Sequence, residues 1–230
     1  MATVDAPPRT GLFDRRLVDG VLFDLDGTLM DTDDQAVEAL GHHLEKLRLR
    51  HPYRVARRLV MASETPGNAL MTLLDAVGLD RSLSSLTSRF YRWRGLRPRS
   101  DLRIMDGTAE MLDSLHGRYG LGVVTTRGRA DADAFLEKYR LGRHFRSVVT
   151  RESTWRLKPH PAPIRLAAQQ LGLPVERCAM VGDTTVDVKA ARRAGAWAVA
   201  VLCGFGSRDE LERAGANVVL QYTADIEVLL

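Results

Sequence analysis

The sequence predicts an α/β fold, a parallel sheet interrupted once by a helical insert, and three observations carry that expectation. Short apolar runs rich in Val and Leu lie between turn signals at 20–25, 121–125, 147–149, 178–181 and 197–202. They do not alternate polar with apolar, which suits strands buried on both faces. Helical spacing fills the gaps between them, and strands alternating with helices imply parallel pairing through right-handed crossovers.

Taken in order, the run at 20–25 is the first strand. The segment 108–119 places Met111, Leu112 and Leu115 on one helical face ahead of the second strand at 121–125. Helices are then expected over 130–139, 161–171 and 184–194. Glycines follow the first, third and fourth of these four segments as stop signals. Residues 217–220 offer a sixth strand at the sheet edge.

The later strands follow one another at βαβ spacing. Between the first and the second, after allowing for the helix at 108–119, roughly 70 residues remain, from about 33 to 103. That exceeds any ordinary structureless loop. Within it, residues 34–47 carry Val37, Leu40, Leu44 and Leu47 on one face, and helical segments at 53–61, 67–77 and 83–93 follow, broken at Pro52, Pro66 and Gly78. The expected organisation is a mobile tail at 1–16, a core domain made of 17–32 and 104–230, and a helical cap at 33–103.

The 230 residues are 45% hydrophobic and 27% charged, a globular composition that excludes global disorder. No apolar run is long enough to span a bilayer. The N-terminus lacks a secretion signal, and Cys178 and Cys203 form neither a disulfide framework nor a zinc pattern. A soluble cytoplasmic protein with no membrane partner is expected. The net charge of +4 comes from 33 Lys and Arg against 29 Asp and Glu. The cations are scattered and no basic block interleaves with aromatics, so no nucleic-acid partner is expected. Residues 33–103 hold 13 basic and 8 acidic side chains, a net +5, and the rest of the chain is −1. This fits either a solvated helical surface or a lid that attracts an anion.

The chemistry concentrates at strand ends. Asp24 and Asp26 lie two apart in Phe23-Asp24-Leu25-Asp26-Gly27-Thr28. At the end of a buried strand, residues two apart point to the same face, ~6.6–6.8 Å apart along the chain, so the two carboxylates are expected together. Like charges so placed need a cation or a proton between them. Gly182-Asp183-Thr184-Thr185-Val186-Asp187 follows the strand at 178–181 and opens a helix. In a parallel sheet it shares the crevice of Asp24 and Asp26. An N-cap accounts for Asp183 or Thr184 but leaves Asp187 unexplained. An all-oxygen cluster favours a hard cation such as Mg²⁺. Thr125 and Thr126 end the second strand, where a hydroxyl and backbone N–H groups suit a phosphoryl oxygen, although an ordinary ST-turn explains them as well. Lys158, in a proline-rich loop, is a point-charge partner for phosphate.

This set, Asp24-x-Asp26-Gly-Thr, Thr125, Lys158-Pro and Gly182-Asp183-(x)₃-Asp187 in that order, resembles the haloacid dehalogenase-like (HAD) superfamily from Val21 onward. The resemblance implies a Rossmann-like parallel core with a helical cap inserted between the first and second motifs. It implies Asp24 as nucleophile, Asp26 as general acid and base, and Mg²⁺ bound by Asp24, the Asp26 backbone carbonyl and Asp183. Asp187 is then a support or an occasional ligand, Thr125 a phosphoryl-binding hydroxyl, Lys158 the neutralising cation, and Gly27 the residue that permits a tight turn. The second acid disfavours dehalogenation. Together with Cys203-Gly204-Phe205-Gly206, the series looks most like the phosphoglycolate phosphatase-like branch, with Thr126 a departure where many relatives carry Asn or Ser. The implied activity is hydrolysis of a small phosphorylated metabolite. A β-phosphoglucomutase-like phosphotransferase and a catalytically silent binding protein stay open, as does the choice between monomer and homodimer.

Overall fold

A computed structural model describes residues 13–31, 45 and 103–230. Chain contacts separate two units, Met1–Asp33 with Arg103–Leu230 and Asp34–Leu102. Of the helical bundle expected over 33–103, only Glu45, in a helix, and Arg103, which belongs to the first unit, are among the described residues; residues 1–12 of the expected tail lie outside them. Residues 13–16 of that tail belong to the first unit. Asp14 caps a 3-10 turn at Arg15–Leu17, and the Phe13 ring meets Trp197 edge-on at 5.3 Å. An aromatic side chain with an apolar partner overrides the polar composition of the stretch.

Six strands form one parallel sheet: β1 (Gly20–Phe23), β4 (Gly120–Val124), β5 (Ser147–Val149), β6 (Cys178–Gly182), β7 (Trp197–Val201) and β8 (Val218–Leu220). Their spatial order is β5-β4-β1-β6-β7-β8. Val21 aligns with Leu121 on one side and Ala179 on the other. From the centre the chain builds outward through β4 and β5, then returns past β1 to build β6, β7 and β8. Strand order therefore reverses around β1, and in open α/β sheets that reversal opens a crevice at the carboxyl ends of the strands. A two-stranded antiparallel ladder, β2 (Met30–Asp31) with β3 (Arg103–Ile104), joins the two chain segments that flank 34–102.

Helices α1 (Thr108–Leu115), α2 (Arg129–Lys138), α3 (Ala162–Leu171), α4 (Thr185–Ala194) and α5 (Arg208–Ala214) connect the strands, and α6 (Ile226–Leu229) ends the chain. On one sheet face Leu22, Val124, Met180, Ala198 and Ala200 pack with Ile164, Leu171, Val188 and Leu211 into a continuous core. Residues of the other parity, including Val21, Phe23, Val123 and Val181, are equally buried. Both faces are covered, which is why the strands read as unbroken apolar runs. Alanine dominates α4 and β7 at 190, 191, 194, 198 and 200. Small side chains there bring helix and sheet close together.

Several boundaries differ from the sequence expectation. The first strand ends at Phe23 rather than at 25, and the second at Val124. Leu25 is fully buried outside the ladder, and its carbonyl accepts from the N–H groups of Thr28, Leu29 and Met30. Hydrophobicity therefore overran the strand. The first helix stops at Leu115, because a turn through Gly117 at φ +81° brings Arg118 and Tyr119 N–H back to the Leu115 carbonyl. Gly120 is consequently the start of β4, not a helix stop. Gly172 and Gly195 do cap α3 and α4.

Candidate active site

The ends of β1, β4 and β6 deliver Asp24, Thr125 and Asp183 to one edge of the sheet. Asp24 is the first residue past β1. Its N–H still bonds the Val181 carbonyl at 2.9 Å, which ties it to the neighbouring strand. Its carboxylate is 11% exposed. Oδ1 accepts from Leu25 N–H at 2.8 Å and from Lys158 Nζ at 3.0 Å. Among the described residues no donor reaches Oδ2.

Lys158 is the hub of the buried charges. Besides Asp24, its ammonium donates to Asp187 Oδ1 at 2.6 Å and to the Val124 carbonyl at 2.9 Å, and the side chain is only 2% exposed. Burial opposes the charge, but Asp187 and Asp24 raise its pKa above the ordinary lysine value. Lys158 is therefore a permanent cation. Asp24 moves the other way. Burial pushes its carboxyl up to about 7 against the pull of Lys158, and the charges of Asp187 and Asp26 add to the rise. One ammonium does not compensate this many acids.

Asp187 explains itself locally as well as through Lys158. Thr184 caps α4, the Thr184 hydroxyl accepts from Asp187 N–H, and Asp187 Oδ2 accepts from Thr184 N–H at 3.1 Å and from its hydroxyl at 2.5 Å. This reciprocal capping box corrects the view that helix capping leaves the second acid unexplained. Both Asp187 oxygens are thus engaged, one by Lys158 and one by Thr184.

Asp183 is fully buried. Its Oδ2 accepts from Phe205 N–H at 2.8 Å, and Thr28 Oγ1 lies 3.4 Å from Oδ1. The chain must come very close to achieve this. Gly27, at φ +66°, and Gly204 both lie so near the Asp183 carboxylate that a Cβ on either would collide with it. The tight turn assigned to Gly27 is present, and a second reason for glycine there is contact with the acid. The β7–α5 loop around Gly204–Gly206 is a cradle for Asp183. The sequence placed Cys203–Gly206 only as a likeness to relatives.

Asp24, Asp183 and Asp187 each offer an oxygen within 4.8 Å of the others. Such an all-carboxylate, largely buried set fits a hard divalent cation. Asp24, with one oxygen that no donor among the described residues reaches, and Asp183 suit direct ligation better than Asp187.

Asp26 stands apart. The ladder stops before Asp24 and the chain bends at Leu25, so the two-residue strand rule does not put the acids on one face. Asp26 is 24% exposed and grips Arg127, whose Nε lies 2.9 and 2.7 Å from its two oxygens and whose Nη2 lies 2.5 Å from Oδ1. Arg127 was absent from the sequence reading. Its only signal there is its place two residues beyond Thr125. The Thr125 hydroxyl accepts from Arg127 N–H at 3.0 Å, the ST-turn anticipated as an alternative, and keeps its own proton for a further acceptor. Thr125 is buried and Thr126 half-buried.

With this geometry in hand, the chain can be set beside known proteins. The model of the haloacid dehalogenase-like hydrolases matches residues 21–201. The chain belongs to that family. It is 30% identical to the probable phosphatase IndB of Dickeya dadantii over 90% of each protein. It is also 30% identical to a phosphoglycolate phosphatase of Rhodospirillum rubrum, over 90% of this chain and 88% of that one. A hydrolase from Pseudomonas syringae shares the fold with a TM-score of 0.66 and 28% identity, covering 90% of this chain and 95% of its own. Among the described residues of this haloacid dehalogenase-like hydrolase, no helix is long and apolar enough to cross a membrane.

Proposed function

We propose that the protein is a Mg²⁺-dependent phosphatase that hydrolyses a small phosphomonoester through an aspartyl-phosphate on Asp24. The observation that carries this reading is the Asp24 carboxylate, held at a strand end by Lys158 on one oxygen, while no donor among the described residues reaches the other. Such a group is oriented, desolvated and able to attack. Kinship to phosphatases supports the same reading.

Asp24 attacks phosphorus, and the bond from phosphorus to the ester oxygen breaks. Asp26, turned to the solvent-reachable side, gives its proton to that departing oxygen. It then takes a proton from the water that attacks the phosphoryl group, the Asp24–phosphorus bond breaks, and inorganic phosphate leaves. The Thr125 hydroxyl and the loop N–H groups behind it orient the phosphoryl oxygens, and Thr126 sits beside them. Lys158 holds Asp24 in place and offsets negative charge as the two anions meet. Asp187, through Thr184 and α4, holds Lys158. Asp24, Asp183 and the backbone carbonyl of Asp26 would hold Mg²⁺, which would supply the remaining positive charge this anion-on-anion reaction needs.

The test is phosphate release from a panel of small phosphorylated metabolites in Mg²⁺, in EDTA and in Ca²⁺. Turnover in Mg²⁺, lost in EDTA and inhibited by Ca²⁺, is expected, since the looser Ca²⁺ shell misplaces the nucleophile. Undiminished release in EDTA contradicts the proposal.

A further inference from the structure

The pairing of Asp26 with Arg127 is at odds with the work asked of Asp26. Both of its oxygens accept from a single guanidinium through three contacts of 2.5 to 2.9 Å. The fork fixes where the carboxylate points, so Asp26 is not free to turn toward a departing ester oxygen while it is held. A carboxyl group that must reach a leaving group has to be let go first.

Among the described residues, Asp26 is the hydrogen-bond partner of the guanidinium. The Arg127 backbone is fixed independently, its N–H to the Thr125 hydroxyl at 3.0 Å and its carbonyl to Arg151 N–H at 3.1 Å. Glu152 takes Arg129 N–H at 3.0 Å and the Thr150 hydroxyl at 2.9 Å, which anchors the start of α2. The two paired side chains are 27% and 24% exposed. Water therefore reaches both partners of the pair. It contrasts with Lys158, which is wholly committed to Asp24, Asp187 and the Val124 carbonyl.

We propose that Arg127 is a specificity-determining residue that exchanges Asp26 for an oxyanion on the leaving group of the substrate, and by doing so frees Asp26 to face the departing oxygen. The inference rests on the phosphatase reading above and names its substrate class: a phosphomonoester or anhydride whose leaving group bears a carboxylate or a second phosphoryl group close to the bridging oxygen. The chemistry of the swap is conservative. A planar fork that grips one carboxylate in a bidentate manner grips another oxyanion of the same spacing with the same N–H groups. The distance requirement follows from the contact itself. Arg127 lies one hydrogen bond beyond Asp26, and Asp26 must lie one hydrogen bond from the bridging oxygen, so an anion a few atoms along the leaving group falls within reach of the guanidinium. A neutral leaving group offers nothing to exchange and leaves Asp26 held.

The test compares kcat/KM for 2-phosphoglycolate, inorganic pyrophosphate and ethyl phosphate, all with Mg²⁺, in the wild type, Arg127→Gln and Arg127→Lys. The wild type is expected to favour at least one of the two anionic substrates over ethyl phosphate by about 10–100-fold, the scale of charge-assisted hydrogen bonds. Which of the two is favoured tells carboxylate from phosphoryl recognition. Arg127→Gln should collapse that preference, through kcat as well as KM, and Arg127→Lys should restore part of it. A guanidinium with a purely structural role would lower all three substrates together, and that result overturns the inference. So does a preference that survives intact in Arg127→Gln. If Arg127→Gln does not fold, the inference stands or falls on whether Arg127→Lys, which keeps the charge but loses the fork, shows a reduced preference. A wild type that hydrolyses no phosphomonoester at all removes the phosphatase reading and this inference with it, whereas hydrolysis without discrimination removes this inference alone.

Discussion

Asp24 and Asp26 are two residues apart, and the protein treats them as opposites. Asp24 is pinned by a backbone bond to β6, by Leu25 N–H and by a buried ammonium, itself fixed by Asp187 and the Val124 carbonyl. Asp26 rests on one guanidinium that is a quarter exposed, beyond the end of the ladder. The first environment suits a group that must attack along one line, and rigidity there orients it before the reaction begins. The second suits a group that changes partners within a cycle. Placement at a parallel sheet's switch point makes both possible, because the strand holds its first residue past the ladder tightly and the turn through Gly27 releases the second.

Substitutions that interchange these environments should have graded effects. Asp24→Asn removes the proposed nucleophile and should lower kcat by about 10⁴–10⁶-fold, the scale seen when a covalent nucleophile is lost. Stopped assays against an aryl phosphate will measure it. Asp26→Asn should cost about 10²–10⁴-fold with a poor leaving group and clearly less with 4-nitrophenyl phosphate, which departs without a proton. Equal losses for both leaving groups would take the acid role away from Asp26.

The rigid side also predicts stability. Asp187→Ala strips Lys158 of its shortest contact and α4 of its capping box, and should destabilise the protein by about 3 kcal/mol in urea unfolding. Gly204→Ala forces a methyl group against the Asp183 carboxylate. It should cost about 1–3 kcal/mol and raise the Mg²⁺ concentration needed for half-maximal activity. The smallest effect has the opposite sign. Asp24 carries a pKa raised to about 7, so without metal the folded state holds a proton that the unfolded state has lost, and stability falls as pH rises from the ordinary carboxylate range through 7. In EDTA, Asp24→Asn should therefore be more stable than the wild type at pH 8, by about 1–2 kcal/mol. Thermal melts should show the gap narrowing as pH falls from 7 and closing only near pH 4, where the unfolded chain also holds the proton, and Mg²⁺ should narrow it at pH 8.

Much of the frame was legible without coordinates, for a physical reason. Strands buried on both faces must be apolar throughout, so β1, β4, β6 and β7 stand out, and parallel topology alone sends their carboxyl ends to one edge. Asp24, Thr125 and Asp183 follow from that, and the prolines around Lys158 mark it separately. What stayed hidden depends on contacts across long sequence separations. Arg127 is one of many arginines in a chain with only four lysines, and nothing periodic marks the one that meets Asp26, 101 residues away. Cys203–Gly206 enters from the sequence only as part of a resemblance, yet its value lies in how closely the Gly204 backbone approaches Asp183. Asp187 is legible as a support, but how it supports is not: it completes a helix cap and a buried ion pair together. The β2–β3 ladder, two residues on each side, is too short for any alternation to show.

The central claim, that the fixed acid forms the covalent bond and the releasable one moves the proton, is tested most directly by finding the phosphoryl group. Enzyme turning over a phosphomonoester in Mg²⁺ is quenched in acid within milliseconds, digested, and the peptide spanning both acids is sequenced by mass spectrometry. The account predicts a phosphoryl group on Asp24, more abundant in Asp26→Asn, where loss of the base slows its hydrolysis, and absent from Asp24→Asn. A phosphoryl group on Asp26, or none on either acid in Asp26→Asn while phosphate is still released, would contradict it.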